Sequence, residues 1–164
     1  MKPLDPIDVV ILEALQADGR MAVSALAKRI GLSGTACTER LRHLEAAGVI
    51  AGYAALVTGP LVGLGLVAFI EVSLDRISRE SFDQFRAAVE RIPEIEECHM
   101  VAGGFDYLLK VRVADMAAYR RFLGDALACV PGIRQTHSYP VMEEIKSGPR
   151  LSLAHLGLGP ADAT

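Results

Sequence analysis

The chain has 164 residues, 51% of them hydrophobic and 23% charged, so it holds enough apolar material for a packed core and is not a disordered polymer. The net charge of -3 excludes a uniformly basic coat for nucleic acid and leaves room for a local basic patch. Three widely spaced cysteines (Cys37, Cys98 and Cys129) support neither a disulfide framework nor a Cys-x-x-Cys zinc site, which suits a reduced, cytoplasmic setting. No apolar run is long enough for a membrane span, and the opening MKPLDPID is not patterned as a signal peptide.

Helical spacing governs the first fifty residues. Asp5, Pro6 and Asp8 read as N-cap, first helical residue and first-turn acid, and Ile7, Val10, Ile11, Ala14 and Leu15 mark one apolar face until Asp18-Gly19. Ser24 is expected to cap a short second helix that ends at Gly31, and Ser33 a third from Thr35 to Ala47 with Cys37, Leu41 and Leu44 turned inward. Residues 49–56 then read as a small hairpin bent at Gly52, and Thr58-Gly59-Pro60 as a linker.

Six further segments follow: a strand over 62–74, a helix over 79–91 capped by Ser78, strands over 95–102 and 105–113 around Gly103-Gly104, a helix over 116–130 capped by Asp115, and a strand over 133–145. The order β-α-β-β-α-β predicts a ferredoxin-like antiparallel sheet with two helices on one face, and an α+β chain overall. Val67, Phe69, Leu109 and Val111 are expected on an apolar sheet face covered by a second copy of the chain. The expected domains are a winged helix-turn-helix at 1–52, a linker strand at 53–61, the sheet domain at 62–147 and a loosely ordered tail at 148–164.

Two helices joined by Gly31-Leu32-Ser33 and followed by a hairpin have the layout of a winged helix-turn-helix, whose second helix presents its N-terminal side chains to base edges in the major groove of double-stranded DNA. These are Gly34, Thr35, Ala36, Thr38, Glu39, Arg42 and His43, with Ser33 at the helix start. Residues 1–50 are neutral, yet Arg20, Lys28, Arg29, Arg40 and Arg42 cluster around the turn with Glu39 as the one acid among them, where phosphates would lie. Three packed helices with a solvated face are the alternative, and the charge placement favours DNA. Gly103-Gly104 fits a tight turn or a close approach of backbone to ligand. Cys98 and His99 point to opposite faces of a strand and make no catalytic pair, Glu96-Glu97 and Glu143-Glu144 read as solvated charge, and no metal-ligand spacing occurs. An enzyme is disfavoured. The rival is a ferredoxin-like small-molecule-binding or catalytic module with an incidental helical domain.

The runs LDPIDVVILEALQADGR, LAKRIGLSGTACTERLRHLEAAGVIAGYAAL, ECHMVAGGFDYLLKVRV and YPVMEEIKS together resemble the Lrp/AsnC (feast/famine) family of transcription regulators, nearest its leucine-responsive branch. The resemblance spans about residues 4 to 147. It implies a DNA-binding N-terminal domain and a βαββαβ domain that senses an amino acid, leucine or another apolar one, without a further cofactor. It also implies dimers through the sheets, assembled into octamers as tetramers of dimers. Carried over, the effector region is Met100, Gly103, Gly104, Asp106, Tyr107, Met116, Thr136, Tyr139, Pro140 and Val141. Asp106 suits an ammonium group, the turn backbone and Thr136 a carboxylate, and Met100, Met116 and Val141 an apolar side chain. The sequence departs from the family pattern at Gly34 and Ala36, where prolines commonly stand, and at Pro140, which replaces an apolar β-former.

Overall fold

In the computed structural model, described here for residues 3–158, the chain divides into two compact units. One runs up to Leu56 and includes the segment after Lys146; the other is Val57–Lys146. The expected boundaries therefore shift: the chain passes between units after Leu56 and again after Lys146. No described helix is long and apolar enough to cross a membrane.

The first unit is built on α1 (Pro6–Ala17), α2 (Val23–Ile30) and α3 (Gly34–Ala46). α1 starts as its sequence dictates. Asp8 N–H donates to Asp5 Oδ1 at 2.9 Å and Asp5 N–H to Asp8 Oδ2 at 3.2 Å, a reciprocal capping box. α2 starts one residue before Ser24, at an Ala22 cap that offers no side-chain acceptor, so Ser24 lies inside the helix. Gly31 ends it in the left-handed region at φ 67°, where a Cβ would be strained. Ile11, Leu12, Ala14, Leu26, Ala27, Cys37 and Leu44 form the core, with Cys37 wholly enclosed. Residues 49–58 form no strand, so the expected hairpin is absent. Val49 and Ile50 N–H groups instead bond back to the Leu44 carbonyl, and Tyr53 Oη donates to Glu45 Oε1 at 2.9 Å, holding the segment to its own helix.

The segment after Lys146 was expected as a loose tail from 148; as far as Leu158 it packs against the first unit, Leu153 joining the helical core, and the expectation for 159–164 falls outside the described residues.

The second unit is a four-stranded antiparallel sheet ordered β2-β3-β1-β4, with β1 Leu66–Leu74, β2 Ile95–Met100, β3 Tyr107–Val113 and β4 Ile133–Pro140. α4 (Arg79–Val89) and α5 (Met116–Arg121) cover one face, capped by Ser78 and Asp115. α5 is shorter than expected because the chain loosens into a π turn over Phe122–Ala126, which contains Gly124, and a 3-10 turn over Leu127–Cys129. β1 begins at Leu66 because a 3-10 turn, Gly59–Val62, precedes it. β4 ends at Pro140 rather than running to Ile145; Pro140 sits opposite Ala68 on this edge strand, where its nitrogen faces away from β1, and the Val141 N–H makes the last bond to β1 at the Val67 carbonyl.

Alternation assigns the sheet faces. Ala68, Ile70, Val72, Leu109 and Val111 are buried beneath the helices, with Phe85 and Val89 from α4. Val67 and Phe69 point the other way, so the expectation that they share a face with Leu109 and Val111 fails by the period of two. Nor is that open face uniformly apolar. A bulge between Ile95 and Glu97 sets Glu96 and Glu97 both within reach of β3: Lys110 Nζ lies 3.4 and 3.0 Å from them. Arg112 Nε donates to Glu96 at 2.6 Å and its guanidinium also grips Glu144 at 3.3 Å.

Candidate DNA interface and effector region

α3 presents a polar outer surface because its apolar residues are spent on the core. Ser33 Oγ accepts from Ala36 N–H at 3.2 Å and so caps the helix. Ser33, Gly34, Thr35, Glu39, Arg42 and His43 are exposed, as are Lys28 and Arg29 in the last turn of α2, where their charge complements that helix end. Two expected contacts are otherwise engaged. Thr38 is half-buried and its hydroxyl donates to the Gly34 carbonyl at 2.9 Å. Arg40 Nη1 lies 2.7 Å from both Asp5 Oδ2 and Asp8 Oδ1, tying α3 to the start of α1. Among the described residues it is the one basic side chain of this unit in such a pair. The hydrogen bonds to Asp5 lead in raising the pKa of Arg40. Burial opposes ionisation of Asp5, but the Asp8 amide and the Arg40 guanidinium outweigh it and lower its pKa. The capping-box spacing was the signal for these acids; nothing local marked Arg40 as their partner thirty residues on.

The residues expected at the effector site fall into two groups. Met100, the Gly103-Gly104 loop and Asp106 lie at the Leu74 end of the sheet, with Thr136 opposite Val72. Tyr139, Pro140 and Val141 lie at the Leu66 end, where Tyr139 pairs with Phe69 and Val141 N–H donates to Val67, and Met116 follows β3 out of that same end. The β1 positions the two groups flank, Val72 for one and Phe69 to Val67 for the other, are roughly 10–17 Å apart at the usual strand rise. One copy of the chain does not gather these residues into one pocket.

Each group is open. Met100, Met116 and Tyr139 are about half exposed. Neither Gly103 nor Gly104 has a positive φ, and a Cβ at either would meet nothing within 4 Å, so the fold of the single chain does not itself demand glycine there. Asp106 is partly committed: its Oδ2 accepts Leu74 N–H at 2.7 Å and its own N–H donates to the Val72 carbonyl at 2.9 Å, holding the loop to the end of β1. Tyr107 turns inward instead, stacked on Phe85 with ring centroids 4.3 Å apart, its hydroxyl buried without a partner.

Comparison with known proteins covers both units. Residues 4–45 match the AsnC-type helix-turn-helix domain and residues 67–151 the Lrp/AsnC ligand binding domain. The leucine-responsive regulatory protein of Salmonella typhimurium is 51% identical over 150 residues, 92% of each chain; its Escherichia coli K12 counterpart is 50% identical over the same share. A Neisseria meningitidis transcriptional regulator crystallised with L-methionine superposes with a TM-score of 0.89 at 40% identity, covering 94% of this chain and 99% of that one. AsnC of E. coli superposes at 0.83 with 25% identity, covering 90% of this chain and 98% of its own. With both its units matched in order and relatives of this identity along nearly its whole length, the chain belongs to the Lrp/AsnC family of DNA-binding transcriptional regulators.

Proposed function

We propose that this regulator reads a specific DNA site through the N-terminal half of α3 and that a free apolar amino acid, leucine or methionine, modulates its action in the cytoplasm. The observation that carries the DNA reading is the exposed start of α3, capped by Ser33 and flanked by Lys28, Arg29 and Arg42. In this reading Arg42 reaches a base edge and Lys28 and Arg29 hold phosphates, while Arg40 braces the helix.

The amino acid occupies a site completed by a second copy. The Met100–Asp106 loop supplies backbone N–H groups and the free Asp106 oxygen, and the Leu66 end of another copy supplies Met116 and Tyr139–Val141. The separation of the two groups along one sheet supports this arrangement, because a second copy can set its Leu66 end beside the Leu74 end of the first. A homo-oligomer, a sheet-to-sheet dimer and its octamer, is part of the same proposal. Leucine-responsive relatives and the methionine complex support the ligand class. A thermal-shift series over the twenty amino acids tests it: a ligand of the native state raises the melting temperature. If none does, the amino-acid reading falls. A salt-dependent shift of duplex DNA tests the other half.

A further inference from the structure

Four contacts converge where the chain after Lys146 meets the first unit, three hydrogen bonds at the end of α1 and one apolar anchor. Gln16 offers both halves of its amide to Leu151: Leu151 N–H donates to Oε1 at 2.6 Å and Nε2 donates to the Leu151 carbonyl at 3.2 Å, the pairing a neighbouring strand would supply. Arg150 Nη2 donates to the Ala17 carbonyl at 3.4 Å. α1 has no basic residue in its own last turn, so Arg150 brings the cation that a helix C-terminus favours. Leu153 packs into the cluster of Ile11, Leu26 and Leu44. Gly148 at φ 132° and Pro149 set the bend before these contacts, and Gly157 at φ 62° ends the short turn after them.

The other side of this segment is also held. Glu144, three residues beyond Val141, accepts three hydrogen bonds from the Arg112 guanidinium in the sheet unit. Only Ile145 to Pro149 separate that anchor from Arg150. A short connection held at both ends passes on a displacement that a long flexible one absorbs. By contrast, residues 51–58 of the first connection form no strand and are exposed.

We infer that residues 147–158 are a strap that completes the DNA-binding unit and carries the state of β4 to the helix-turn-helix. The docking stands on its own; what the strap transmits rests on the amino-acid reading above. The recognition element is thus connected to the sensing unit twice, and the second connection begins beside Tyr139–Val141.

Two variants test this, a chain ending at Ser147 and full-length Gln16→Ala. Amide hydrogen exchange of α1, measured without amino acid, is expected to accelerate at least tenfold in the shortened chain and less in Gln16→Ala. Affinity for a random-sequence duplex at low salt is then measured with and without 10 mM L-leucine or L-methionine. The shortened chain is expected to keep the melting shift caused by the amino acid while its affinity ratio with and without ligand falls to one. Unchanged α1 exchange, or an undiminished amino-acid effect on DNA affinity, overturns the strap. If neither amino acid shifts the melting temperature of the full chain, the effector reading fails and the exchange comparison alone decides the strap.

Discussion

Arg40 and Asp106 show how a single side chain acquires its role from a partner far along the chain. Arg40 joins two first-turn acids of α1, and Arg40→Ala should lower the stability of the N-terminal unit by about 1 kcal/mol, the upper range for pairs that keep partial solvent contact. The same pairing predicts a pH dependence. The folded-state pKa of Asp5 lies below its ordinary 3.8, so its stabilisation is present above that value and is lost as pH falls beneath it. Acid titration of helical ellipticity should show this loss in the native chain and a smaller one in Arg40→Ala, where the Asp8 amide still favours the ionised Asp5. Asp106→Ala removes the acceptor for Leu74 N–H and should cost about 1–2 kcal/mol in thermal unfolding. Asp106→Asn keeps an acceptor and removes the charge. Under the amino-acid reading it stays near native stability while its dose-response midpoint rises; an unmoved midpoint takes Asp106 out of the site.

At the scale of the element, helix starts were the most legible feature, because a cap is a local agreement between a few neighbouring residues. Asp5, Ser33, Ser78 and Asp115 all cap where their positions imply. Ser33→Ala should cost about 1 kcal/mol and lower DNA affinity, as read by anisotropy titration, by loosening the first turn of α3. Ends were less legible, because they depend on partners elsewhere. β1 is preceded by a 3-10 turn rather than more strand, with Leu64 N–H bonded back to the Gly59 carbonyl, and Gly59 is tightly enclosed there: a Cβ would come within 2.7 Å of the Leu64 carbonyl and 2.9 Å of Arg112 Nη1 from β3. Gly59→Ala should therefore lower the melting temperature of the sheet unit, whereas Gly103→Ala, with open space around it, should not. The expected hairpin after α3 failed for a like reason. Its alternating pattern was real, but Leu44 and Glu45 captured its polar groups before a strand partner did.

For the whole molecule, the order of elements was enough to reach the βαββαβ sheet, since antiparallel pairing and two crossing helices leave few arrangements. What order alone did not convey was which strand residues share a face across the register, or that the chain returns to its first unit. Phe69, 37% exposed, stands on the open face opposite Lys110, its partner across the strands, with Glu71 two residues along its own strand and Glu97 paired to the far side of Lys110. A second copy packed there would meet apolar and ionised groups together. Phe69→Glu is expected to shift sedimentation toward monomer, and added salt to change the association of the native chain through these pairs. A native chain that sediments as a monomer at micromolar concentration removes the sheet-to-sheet dimer.

The enclosure of Cys37 turns the DNA-binding unit into its own clock. Cys98 and Cys129 are exposed, whereas Cys37 has no accessible surface and burial raises its thiol pKa. A thiol reagent should label two cysteines early and the third only when the three helices part. Each increment of about 1.4 kcal/mol in opening free energy slows that third reaction tenfold. Bound duplex should slow it further, since DNA held by the closed helices makes their opening rarer. The pace of one labelling reaction would then report, in an otherwise unmodified chain, how firmly α1, α2 and α3 are held together.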